Sequence, residues 1–174
     1  MDRTARVLPA STVSGAQLFD GRTPAGWESE SDPTSLAAID IVPQLAGTAL
    51  RLRYGLSGGA VSGQYAGIAV ATPAGVAPHD RVTLSIRAEH PMRISVQARA
   101  LVQGAPERWQ RSVFVDETER AVTIFFNDMA PVGAVHSSRP PLDSVRNVML
   151  IVDTTHAKPG SSGRLWVTGV TLEP

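Results

Sequence analysis

Apolar and polar residues alternate with a period of two along much of this chain, the spacing of a strand with one buried face. Leu50, Leu52 and Tyr54 alternate with Arg51 and Arg53. Val82, Leu84, Ile86 and Ala88 alternate with Thr83, Ser85 and Arg87; Ile94, Val96 and Ala98 alternate with Arg93, Ser95, Gln97 and Arg99. Each run predicts one face in a core and one in water. Residues 148–152 are apolar at every position, which predicts a central strand covered on both faces.

Strands are expected over 16–19, 27–29, 37–41, 48–54, 64–71, 81–88, 92–102, 109–115, 121–126, 145–152 and 164–172, because these stretches are rich in Val, Ile, Leu and Thr and bounded by Gly, Pro, Ser and Asp. No stretch keeps a helical period for three turns. The pattern predicts an all-β, two-sheet antiparallel sandwich in one domain over 16–174, preceded by a linker over 1–15. The Gly-rich segment 56–63 and the Pro-bearing segment 72–79 read as loops. Segment 131–142, with three prolines, is long for a hairpin and reads as a crossover or rim loop. Pro159-Gly160 places an exposed loop over 153–163.

Composition narrows what such a domain does. A hydrophobic content of 43% fills one core in a chain of 174 residues. Sixteen basic residues balance sixteen acidic ones, so the long-range positive field that gathers nucleic acid is missing and nucleic acid is not an expected partner. Fifteen of the basic residues are arginine, which favours planar, bidentate contacts. No stretch approaches the roughly 20 apolar residues of a membrane helix, so membrane insertion is not expected. The absence of cysteine removes disulfides, thiolate metal sites and a thiol nucleophile. The first residues lack the apolar run of a signal peptide, which leaves a cytoplasmic protein or one numbered after its leader, the latter extracytoplasmic.

Enzyme motifs are missing. The single lysine, Lys158, follows no phosphate-binding Gly-rich turn, and His79, His90, His136 and His156 never fall at metal-ligand spacing. The chain offers no Gly-x-Ser-x-Gly elbow. Asp116, Glu117, Glu119, Asp128 and Asp153 remain available to paired-carboxylate chemistry, yet most sit at predicted strand ends, where solvated turns also place them. The chain is expected to be no enzyme.

Phe19-Asp20-Gly21, followed by Gly26-Trp27-Glu28, resembles the opening of galactose-binding-like jelly-roll modules. Residues 109–114, then Ile124-Phe125-Phe126-Asn127-Asp128-Met129-Ala130-Pro131, then 145–153, then Gly163-Arg164-Leu165-Trp166-Val167 through Val170-Thr171-Leu172 are similar in order to the complex I intermediate-associated protein 30-like family and related carbohydrate-binding modules. The resemblance implies a jelly-roll recognition domain without catalysis, with polysaccharide the commonest ligand class, on a concave sheet face. It implies no cofactor. Relatives often carry an acidic residue near the last strand's end; Thr168-Gly169 stands there, so that strand does not support a structural calcium.

Sugar recognition uses an exposed aromatic ring flanked by hydrogen-bonding side chains. Phe114, Phe126 and Trp166 fall on apolar stretches and read as core. Trp109 stands at a strand start beside Arg108, on the same strand face as Arg111, and Tyr65 shares parity with the small Gly67 and Ala69. The rows Ser85, Arg87 and Ser95, Gln97, Arg99 are expected to share a face if their strands are neighbours. The candidate ligand-binding set is therefore Trp109, Arg87, Gln97, Arg99, Arg111 and Tyr65. Its arginines suit an acidic polysaccharide. The alternative is a protein-docking or assembly domain, for which an aromatic-poor, arginine-bearing face is equally suited.

Overall fold

A computed structural model describes residues 14–59 and 62–174. The linker expected over 1–15 falls, except for 14 and 15, outside the described residues, as do two positions of the 56–63 loop. Twelve strands follow in order: β1 (Ala16–Phe19), β2 (Trp27–Ser31), β3 (Leu36–Gln44), β4 (Gly47–Gly55), β5 (Tyr65–Ala71), β6 (Arg81–Ala88), β7 (Met92–Val102), β8 (Ala105–Val115), β9 (Arg120–Phe125), β10 (Ala130–Pro131), β11 (Val145–Asp153) and β12 (Ser162–Glu173). Two 3₁₀ turns, Phe126–Asp128 and Leu142–Ser144, are the only helical pieces among the described residues, and none is long and apolar enough to cross a membrane.

The strands form two antiparallel sheets of six. The front sheet runs β10-β8-β7-β11-β5-β2 and the back sheet β3-β4-β12-β6-β9. β1 pairs β12 at Val170–Leu172, a stretch whose other edge is taken by β6, so β1 continues the edge that β4 occupies earlier along β12. The alternating residues behave as their parity demands. Leu50 and Leu52 from β4, Leu84 and Ile86 from β6, Ile94 and Val96 from β7, and Val148 and Leu150 from β11 meet in one core. In β12 the inward parity changes from Leu165 and Val167 to Val170 and Leu172, and the register shift at Val167/Gly169 makes that change possible.

β11 lies between β7 and β5, as its unbroken apolar run predicts, and both its faces are buried. Segment 131–142 does cross between elements: it leaves β10 on the rim of β8 and reaches the 3₁₀ turn before β11. The loop between β11 and β12 is mostly exposed, as expected.

Two expectations fail here. β6 and β7 are consecutive and equally patterned, but the chain passes from the back sheet to the front between them, so their polar rows point away from each other on opposite sides of the sandwich. Phe114 and Trp166, read as core, stand on outward faces. Phe114 is 49% exposed, and Trp166 is half-buried under Arg87, whose guanidinium carbon lies 3.9 Å from the ring centroid.

Candidate ligand-binding groove

The outward face of the front sheet carries two facing polar rows. Pairing across it sets Arg99 opposite Arg108, Gln97 opposite Gln110 and Ser95 opposite Ser112 on β7 and β8. On the other side of β7, Met149 of β11 lies level with Gln97, and Ile151 with Ser95. β5 then contributes Ala69 and Gly67 at the same levels, and β2 contributes Glu28 and Glu30.

Two adjoining depressions, of about 220 Å³ and about 510 Å³, share Tyr65, Arg99, Arg108 and Val132. The first also contains Gln97, Gln110, Ile151 and Asp153; the second adds Glu30 and Glu107. A third hollow of about 240 Å³, lined by Glu28, Glu30, Ala69 and Asn147, continues along β2. Together they make a groove across the sheet.

Tyr65 is fixed at both ends. Its backbone N–H donates to Asp32 Oδ1 at 2.9 Å and its hydroxyl to Glu30 Oε1 at 2.8 Å. Burial, with the Glu30 carboxylate second, pushes the Tyr65 hydroxyl above the usual phenol range. Hydrogen bonds from the Ser35 and Thr34 side chains hold the Asp32 carboxyl well below the carboxylate range, so the β5 anchor stays ionised. Arg99 Nη1 donates to Glu30 Oε1 at 2.9 Å, and Gln97 Nε2 to Gln110 Oε1 at 3.0 Å. Ser95 Oγ, Gln97 Oε1 and Asn147 Oδ1 are buried on this face and have no hydrogen-bond partner among the described residues. Such atoms are costly unless something meets them.

Of the six residues singled out from the sequence, Tyr65, Gln97 and Arg99 come together here. The other three do not. Trp109 has no exposed surface; it packs inward opposite Ala98, with its indole N–H donating to the Ser137 carbonyl at 2.9 Å. Inward parity with Val113 and Val115 puts it there, so no ring face is left for a sugar. Arg111 shares that parity but reaches the side of the sandwich, donating to the Asp128 carbonyl at 3.3 Å. Arg87 covers Trp166 on the back sheet. Residues the sequence reading passed over include Arg108 and Gln110, which alternation with Trp109 could have placed outward, and Glu30, beyond the predicted end of its strand.

The carboxylates considered for catalysis are dispersed. Asp116 pairs with Arg120, Glu119 accepts from Thr168 on the back sheet, and Asp153 faces the groove. Among the described residues no three His, Asp or Glu side chains are grouped to hold a metal ion.

The groove's rim is pinned at Glu107, which is 6% exposed. Its two carboxylate oxygens accept from the His136 backbone N–H at 3.0 and 3.1 Å, and Oε1 also meets the His136 ring. Burial alone raises this carboxyl, but the His136 side-chain and backbone bonds outweigh it and hold it below the usual glutamate range. A depressed folded value contributes stability above the unfolded one and loses it as pH falls through the folded one. Between about pH 5 and pH 3, Tm is expected to fall further in the wild type than in Glu107→Gln; equal falls in thermal melts would contradict the pinning.

No family model and no curated protein sequence matches the chain. Solved structures do. A family 11 carbohydrate-binding module of the cellulosomal cellulase Lic26A-Cel5E of Clostridium thermocellum aligns at a TM-score of 0.74 with 18% identity, over 94% of this chain and 96% of that one. The fold is that of β-sandwich carbohydrate-binding modules. The same fold recurs in a Clostridium thermocellum family 11 module solved with a β-1,3-1,4-mixed-linked tetrasaccharide (TM-score 0.73, 17% identity, 94% and 97% covered). It recurs again in a family 30 module of the cellulase Cel9D-Cel44B from Clostridium thermocellum (TM-score 0.65, 12% identity, 92% and 98% covered). Against this carbohydrate-binding-module fold, identity is low enough that the groove's side chains must be read on their own chemistry.

Proposed function

We propose that this domain is a non-catalytic carbohydrate-recognition module that seats a polysaccharide across the front-sheet groove. The observation that carries the reading is the set of buried, unpartnered polar atoms, Ser95 Oγ, Gln97 Oε1 and Asn147 Oδ1, on a face that also carries apolar Met149 and Ile151. A sugar that displaces the side chains covering them offers hydroxyls to the former and a C–H face to the latter. The shared fold with a module solved in complex with a tetrasaccharide supports it. Arg108, whose guanidinium has no hydrogen bond or ion pair among the described residues, favours an acidic polysaccharide.

The docking alternative, which follows from the motifs similar to the complex I intermediate-associated family, is favoured by exposed Leu36 and Leu45 near the ends of edge strand β3. Affinity electrophoresis against neutral and acidic polysaccharides separates the two. Glycan binding is expected, weakened by about 1 kcal/mol in Gln97→Ala, the scale of one hydrogen bond. Arg87→Ala, on the back sheet, is expected to leave it unchanged. Binding lost in Arg87→Ala and kept in Gln97→Ala would move the site to the other sheet.

A further inference from the structure

Arg99 belongs to β7 and Glu30 to β2, with β11 and β5 between them, yet their side chains meet at 2.9 Å. Neighbouring strands lie about 4.8 Å apart, so this contact spans three steps, about 14 Å across the sheet, and runs diagonally, because Glu30 is level with Ser95 and not with Arg99. Both residues have outward parity, so the contact runs over the groove. Beneath it β5 carries Gly67 and Ala69, the smallest side chains available, and β11 carries Met149 and Ile151. Those two apolar residues are 0% and 2% exposed although they point away from the core. An outward face is ordinarily wet; here the bridge, braced by the Tyr65 hydroxyl on the same Glu30 oxygen, crosses the strands that carry them.

The charges at the far end ask for an anion. Arg99 and Arg108 are directly opposed across β7 and β8, an arrangement of like charges that destabilises a strand pair. Glu30, from three strands away, supplies the one carboxylate paired with either guanidinium among the described residues.

We infer that Glu30 is an internal occupant of the groove: its carboxylate holds the place that a ligand's acidic group takes beside Arg99 and Arg108, and a carboxylate-bearing glycan binds by displacing it. Glu30 sits on the edge strand with its side chain 37% exposed, so it has solvent to swing into. Its departure frees the strand that carries Met149 and Ile151 for the sugar's C–H face. The inference rests on the groove being the glycan site, and makes Glu30 the residue that sets selectivity there.

The test compares wild type, Glu30→Ala and Glu30→Ala/Arg108→Gln for binding to polygalacturonate and to a neutral β-glucan. Glu30→Ala is expected to tighten polygalacturonate binding by about fivefold at low salt, the scale of one exposed ion pair, with a smaller gain at high salt and no such gain in the double variant. A second readout needs no glycan. In a Tyr54→Phe background Tyr65 is the only tyrosine, and its ionisation, followed by ultraviolet absorbance, is expected at lower pH once Glu30 is replaced. Wild-type binding that Glu30→Ala leaves unchanged or weakens overturns the displacement and spares the groove. An unmoved Tyr65 titration overturns the bridge itself. If neither wild type nor Glu30→Ala binds any glycan, the groove reading falls and takes this inference with it.

Discussion

Trp109→Ala is expected to destabilise the domain by about 3–5 kcal/mol, the range for truncating a large buried aromatic. For a chain of this size that lowers Tm by about 6–20 °C. The magnitude follows from three facts: the ring has no exposed surface, it fills space opposite the small Ala98, and its N–H is spent on Ser137. Trp109→Phe keeps most of the packing and should recover most of the loss. Both variants are read by thermal or denaturant unfolding. Glycan affinity is expected to follow the folded fraction and nothing more. A Trp109→Ala domain that melts like wild type but loses ligand would return this ring to the binding surface.

Gly67→Ala should cost about 1–3 kcal/mol, the usual penalty for forcing atoms into filled space. A Cβ added at Gly67 would run into the Leu150 carbonyl oxygen and lie 3.2 Å from Ile151 Cα, both backbone atoms that no rotamer change can move. β5 must therefore shift against β11, and Tyr65 shifts with it. The substitution is expected to weaken glycan binding as well as stability. Gly55→Ala is the control, since nothing lies within 4 Å of its Cβ position. Equal melting of the two variants would show that β5 and β11 are farther apart than described.

Strand positions were legible where alternation is local and one-sided, and 81–88 and 92–102 coincide with β6 and β7. Strand ends held by a partner were not. Glu30 and Ser31 extend β2 because β5 offers the paired edge, and Ala105-Pro106-Glu107 extend β8 because the β7 hairpin does; none of these residues favours a strand by itself. Alternation also cannot say which sheet a strand joins. Arg87 and Gln97 carry the same local signal and end on opposite outer faces, because that choice is made by long-range pairing. Trp109 was misplaced for a related reason: its parity with Val113 and Val115 pointed inward, while its parity with Arg111 pointed to water, and Arg111 escapes the core only at the sandwich's side. The floor of the groove was half legible. The apolar run 148–152 announced burial on both faces, but only the structure shows that Met149 and Ile151 sit on a strand spanned by an ion pair from β2 to β7.

Amide chemical-shift mapping during titration with a soluble acidic oligosaccharide locates the ligand without assuming a residue. Saturable shifts are expected on the front sheet, at Tyr65, Ser95, Gln97, Arg99, Arg108 and Ile151, with Arg87 and Trp166 on the back sheet unmoved. Shifts gathered around Trp166, or along edge strand β3 at Leu36 and Leu45, would contradict a front-sheet site.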